Sequence, residues 1–145
     1  MAEVRAPNAI ERVFNALVGA LVRAGIGKPK MRVLEVRGRK SGKVYSLPVD
    51  LLQFAGKTYL VAPRGHTQWA QNAAAAGVVT LRRGKASTPY RLRALTAAEK
   101  PPVLKAYLDE FNSEVGRFFP LPAGSPPDAF APIADRYPAF ELTQS

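Results

Sequence analysis

The chain of 145 residues has no cysteine, one histidine, one tryptophan and only 11 acidic residues. Without cysteine there is neither a disulfide nor a thiolate metal site, and one histidine leaves too few nitrogen ligands for zinc. No uncharged apolar run reaches the roughly 18 residues that a membrane-spanning helix needs. Glu3, Arg5, Glu11 and Arg12 interrupt any hydrophobic region near the start, so no signal peptide is expected and a cytoplasmic location fits. No serine sits in a nucleophile-elbow context, so a hydrolase triad has no support. Carboxylate pairs are scarce: Asp50 lies on an expected strand, while Asp109 and Glu110 adjoin on a helix and face different ways. An enzyme of this composition leaves the difficult step to a bound cofactor. No Gly-x-Gly-x-x-Gly motif follows a strand, which removes the dinucleotide fold.

What is present is globular, with 47% hydrophobic and 22% charged residues. The length suits one domain with one core. Its expected parts are an N-terminal amphipathic helix within 1–27, a barrel core over 28–95, and a helix, loop and closing segment over 96–145. The charge is lopsided. Residues 1–93 hold 17 Lys/Arg against 4 Asp/Glu, and residues 94–145 hold 4 against 7. A basic portion beside an acidic one points to an anionic partner for the first.

Asn8 caps an expected helix from Ala9 to Ala24 whose apolar stripe leaves a peripheral membrane or subunit contact open. Strands are expected over 31–37, 44–54, 57–62, 78–83 and 86–95, with a short helix from Gln68 to Ala76 between the third and fourth. Thr67 is its expected N-cap and Gly77 its stop. Thr96 caps a helix over 97–111, in which Pro101 and Pro102 fall in the opening turns. A loop over 112–127, a short helix from Asp128 to Arg136 and a strand from Ala139 to Leu142 complete the chain. About six mostly antiparallel strands with peripheral helices make this an α+β chain of the small-barrel kind.

Two segments carry chemistry. Arg37-Gly38-Arg39-Lys40-Ser41-Gly42-Lys43 is a basic turn between two strands, where cations and turn amides can hold a phosphate or carboxylate. Pro63-Arg64-Gly65-His66 joins a strand to the helix opening at Gln68, so helix-dipole and amide donors meet a guanidinium. Trp69 and Asn72 share a face of that helix.

In that order, Gly38-Arg39-Lys40-Ser41-Gly42, Pro48, Ala62-Pro63-Arg64-Gly65, Trp69 and Asn72 resemble the deazaflavin-dependent nitroreductase family of actinobacteria. The resemblance is close over residues 30–95. It implies a split β-barrel of the FMN-binding kind that binds the 5-deazaflavin coenzyme F-420, whose phosphodiester and oligoglutamate tail suit the basic excess. By position, Arg39, Lys40, Ser41 and Gly42 match the hairpin that binds phosphate and tail, and Pro48 matches a position near the ring. Arg64 and Gly65 match the loop around phosphate and ring, and Trp69 and Asn72 match its helix. Tyr45 stands where well-studied members have arginine, and Pro63 where they have serine, so nitro-drug activation is not expected.

The expected function is hydride transfer from reduced F-420 to a small conjugated acceptor such as a quinone or enone. Tyr45, His66 or ordered water are the candidate proton sources. Phe118, Phe119 and Tyr107 are expected to shape the apolar acceptor pocket. A homodimer is compatible with the resemblance. The alternative is the same barrel binding FMN or a fatty acid without this catalysis. Nucleic acid is not an expected partner, because the strands lack an aromatic-plus-basic stacking platform.

Overall fold

The computed structural model describes residues 30–145, and the helix expected from Ala9 to Ala24 lies outside the described residues. The elements are β1 (Met31–Arg37), β2 (Val44–Asp50), β3 (Leu52–Phe54), β4 (Lys57–Val61), α1 (Gln68–Ala76), β5 (Val78–Arg83), β6 (Ala86–Ala94), α2 (Lys100–Val115) and β7 (Ala139–Gln144). Two 3-10 segments, Gly116–Phe118 and Pro127–Arg136, lie between α2 and β7.

The strands form one antiparallel sheet in the order β2-β1-β5-β6-β7-β4-β3. Its two edge strands, β2 and β3, are separated in sequence only by Leu51. Two residues of extended chain span at most about 7 Å, so both edges of the sheet must approach there. The sheet therefore curls into a half-barrel that is joined at Leu51 and split elsewhere. The single strand expected over 44–54 is thus two strands. Leu51 leaves the ladder, and its N–H donates to the Lys30 carbonyl at 2.9 Å.

The barrel interior gathers Leu34, Val36, Leu51, Leu60, Val79 and Leu81, with Ala73 of α1 resting on them. On the other face Leu52, Tyr59, Val61 and Ala139 meet Leu104, Leu108 and Phe111 of α2, and Phe130 of the second 3-10 segment. β4 shows the strand alternation directly. Leu60 points into the barrel, while Tyr59 and Val61 point to α2. Each fully buried leucine contributes about 1.5–3 kcal/mol by leaving water.

α2 starts and ends later than expected. Thr96 and Glu99 form a reciprocal capping box: Thr96 N–H donates to Glu99 Oε1 at 2.8 Å, and Glu99 N–H to Thr96 Oγ1 at 3.3 Å. Beyond Phe111 the helix continues to Val115 through one non-helical residue, Phe111 itself. The apolar face at 104, 108, 111 and 115 keeps helical spacing, and helix-compatible Asn112 to Glu114 provide no stop before Gly116.

Candidate coenzyme site

The β1–β2 register, with Arg37 opposite Val44, leaves Gly38 to Lys43 as the hairpin tip. Gly38 N–H donates to Lys43 O at 2.7 Å, Gly42 N–H to Gly38 O at 3.0 Å, and Lys43 N–H to Ser41 Oγ at 3.2 Å. Only the N–H groups of Lys40 and Ser41 at this tip lack a partner among the described residues, fewer than the open turn the sequence suggests. Tyr45 packs on the tip. A Cβ on Gly38 would stand 2.7 Å from its Cε2, and its hydroxyl lies 3.2 Å from Ser41 Oγ. Lys40 is exposed.

The tip is pinned to α1. Arg39 Nη1 donates to Asn72 Oδ1 at 2.6 Å, and the Arg39 backbone N–H reaches the same oxygen at 3.1 Å. Arg39 Nη2 donates to Gln68 Oε1 at 3.0 Å and to Gln71 Oε1 at 3.1 Å. Asn72 is 6% exposed, a buried polar residue in an otherwise apolar core.

The second loop arrives from the other side. Gly65 turns at φ +90°, and a Cβ there would stand 3.2 Å from the Arg136 carbonyl, so the position suits glycine alone. The first intrahelical bond of α1 runs from Gln71 N–H to Thr67 O, so the donors of Gln68, Trp69 and Ala70 have no helical acceptor. No acidic residue stands in that first turn, and the Thr67 side chain does not cap it. Thr67 Oγ1 is instead buried without a hydrogen-bond partner.

Thr67 and Trp69 both line a cleft of about 320 Å³. Pro48, Val49 and Asp50 of β2 form one wall, Val61, Pro63 and Arg64 another, and Tyr107 and Val115 of α2 its floor. Gln68, which holds Arg39, lies between Thr67 and Trp69. The two cationic turns, far apart in sequence, thus both reach α1, the Arg64 loop at the cleft and the hairpin tip through Arg39, while no residue of the tip lines the cleft itself. The Arg64 guanidinium stacks over Phe118 at 5.5 Å, with Arg117 over the same ring at 4.7 Å. Burial, with Asp50 and Glu114 nearby, pushes the Tyr107 phenol well above its ordinary pKa.

The structure brings Pro48, Arg64 and Trp69 to the cleft and pairs Arg39 with Asn72 on α1, while Lys40, Ser41 and Gly42 at the tip and Gly65 do not line it. It does not bring His66 or Tyr45 there. His66 Nε2 lies 2.8 Å from the Asp135 carbonyl and lines a separate hollow with Lys100 behind α1. Tyr45 sits on the outer hairpin, 45% exposed. Phe119 is not a cleft residue either: it stacks on Tyr137 at 4.4 Å within the α2-side core. Sequence reasoning missed Asp50 and Val115 as cleft residues and Gln68 and Gln71 as partners of Arg39. Gln68, Gln71 and Asn72 stand at i, i+3 and i+4, a stripe of amide acceptors on one helix face that could have signalled a donor opposite.

Residues 3–115 match the model of the F420H(2)-dependent quinone reductase family. The chain belongs to that family. Its members' coenzyme is reduced F-420, and the chain is an F-420-dependent reductase. The FMN alternative has no support from this match. No curated protein matches the chain. Among solved structures, one described as an F420-H2 dependent reductase is 20% identical, covers 79% of this chain and 95% of its own, and superposes with a TM-score of 0.54. One described as a domain-swapped dimer is also 20% identical, with 92% and 93% covered and a TM-score of 0.56. The heme storage protein HutZ from Vibrio cholerae is 10% identical, with 81% and 83% covered and a TM-score of 0.57. At these identities the likeness shows the split-barrel fold. Among the described residues of this quinone reductase family member, no helix is long and apolar enough to cross a membrane.

Proposed function

We propose that this chain binds reduced F-420 with its tricyclic ring in the cleft and its phosphodiester and acidic tail along the basic turns, and reduces a small conjugated acceptor, a quinone or an enone. The attachment of both the hairpin tip and the Arg64 loop to α1 carries this reading. A cleft of about 320 Å³ lies at the small end of ligand pockets, enough for a planar ring but not for the tail. The orphaned Thr67 hydroxyl and the uncapped donors of α1 are what a polar, anionic ligand would satisfy.

When bound, the coenzyme supplies a hydride from its ring C5. Pro48, Val49 and Trp69 hold the ring plane and keep water from it. Lys40, Arg64 and the α1 amides take the negative charge, with the Lys40 and Ser41 N–H groups at the tip. Ser41 and Gly42 shape that turn, and Gly65 lets the Arg64 loop approach. Tyr107 offers a phenolic hydrogen-bond donor at the floor, a better-placed candidate for steadying charge on an acceptor oxygen than His66 or Tyr45.

Fluorescence titration of the purified protein with F-420 tests the reading. A Kd well below about 1 mM, where binding is worth only about 4 kcal/mol, supports it, and no binding in that range overturns it. Loss of reduced F-420 absorbance with menadione against cyclohexenone then assigns the acceptor class.

A further inference from the structure

We infer that Arg39 does not grip the coenzyme phosphate: it is a positioning residue that pins the hairpin tip to α1, so that Lys40 and the tip amides stand where the anion binds. A guanidinium recognises phosphate through a fork of two parallel N–H bonds, either Nη1 with Nη2 or Nε with Nη2. Both hydrogens of Arg39 Nη2 are taken, by Gln68 and Gln71, and Nη1 is held by Asn72. Every fork needs an Nη2 hydrogen, so none is open.

The three partners are neutral amides, so these bonds leave the positive charge of Arg39 uncancelled. What the scaffold takes is the pair of Nη2 donors, the part of the guanidinium that a phosphate fork requires. Asn72 is built for this role. Its side-chain oxygen accepts from both the backbone N–H and the guanidinium of Arg39, and it is buried where an unpaired amide would be costly. Gln71 extends the pin back toward the Arg64 loop. Its Oε1 accepts from Arg39 and its Nε2 donates to the His66 carbonyl at 2.9 Å, so one amide ties the hairpin to the Arg64 loop. The two halves of the anion site are therefore fixed relative to one another before any ligand arrives, which removes ordering entropy from binding.

The inference rests on the coenzyme reading above for its binding arm, and on the apoprotein alone for its stability arm. Arg39→Ala, Arg39→Lys, Asn72→Ala and the Arg39→Ala/Asn72→Ala double variant are compared. For a pin, both single alanine variants weaken F-420 binding by a similar factor, on the order of tenfold, and the double variant is within about threefold of either, because they break one coupled unit. Arg39→Lys, which keeps the charge and loses the planar fork, resembles Arg39→Ala, and KM for the coenzyme rises more than kcat falls. The apoprotein Tm losses are likewise non-additive. A loss with Arg39→Ala far larger than with Asn72→Ala, rescue by Arg39→Lys, or additive losses in the double variant would overturn the pin and make Arg39 a direct ligand. If Arg39→Ala does not fold, Arg39→Lys against Asn72→Ser decides by the same criteria. Should the wild type fail to bind F-420, the coenzyme reading falls, and the apoprotein Tm cycle still decides the pin.

Discussion

A single hydroxyl carries the sharpest residue-scale tension between stability and binding. Thr67 stands at the N-cap of α1, where a threonine ordinarily bonds an amide of the first turn, yet its Oγ1 is buried and unpartnered. A buried polar group without a partner costs about 1–3 kcal/mol. The expected outcome for Thr67→Val, which keeps the shape and removes the hydroxyl, is an apoprotein at least as stable as wild type. Its F-420 affinity falls by about fivefold to tenfold, close to one hydrogen bond. A thermal melt and a titration on the same preparation read both; a lower Tm with unchanged Kd would mean the hydroxyl serves the fold. Trp69 and Asn72 were legible in the sequence as one helix face. That Asn72 faces the hairpin rather than the cleft was not, because its partner lies 33 residues away.

At the scale of elements, α2 depends on charge at its start. Arg93 of β6 donates to Glu99 Oε2 at 2.9 Å and to Glu141 Oε1 of β7 at 2.7 Å, while Glu99 also accepts from Thr96 N–H. These bonds, Arg93 first and Thr96 second, pull the Glu99 carboxyl down to about 2, and Arg93 lowers Glu141 as well. Both carboxyls titrate lower in the folded chain than in the unfolded one. Their contribution is present above the ordinary carboxylate value and is lost as pH falls from about 5 toward 2. Arg93 is exposed and the two carboxylates are part-exposed, so the effect is small and weakens with salt. Glu99→Gln should lower Tm at neutral pH and flatten the fall in Tm between about pH 5 and 2, seen by melts in low-salt buffer. Parallel pH profiles for variant and wild type would show that the capping box does without the carboxylate. Thr96 was read as a cap from the sequence, and Glu99 completes it at the capping-box spacing. Its reinforcement from β6 and β7 was not readable, because it arises only when those strands pair.

Over the whole molecule, the formal charge of +10 is concentrated in the portion that builds the hairpin and the Arg64 loop. Charges separated by more than about 10 Å are screened at 0.1 M salt, and by about 3 Å at 1 M. A long acidic tail lying along exposed Lys40 and its neighbours should therefore bind several-fold more weakly as salt rises from about 0.05 to 0.5 M. A deazaflavin lacking phosphate and tail should show little salt dependence, and Lys40→Ala should reduce the slope for the full coenzyme. Titrations at four salt concentrations test this, and equal slopes for the two ligands would place the tail away from the basic turns. The half-barrel itself was legible as a class, from strands of period two joined by short turns. The joining of its two edges at Leu51 was not, since Leu47, Val49 and Leu51 continue one alternation and hide the break.

Local chemistry was enough to determine most elements of this chain: the β1–β2 hairpin, the bounds of α1 at Gln68 and Ala76, the basic turns and the charge imbalance all follow from neighbours within a few residues. Tertiary structure alone decided the strand order, the cleft formed by β2, β4, α1 and α2, the exclusion of His66 and Tyr45 from it, and the Arg39–Asn72 pin. Those features depend on how far the sheet curls and which faces it then brings together. That curl is the sum of many small twists and packing contacts between residues distant in sequence, which no short window of residues records.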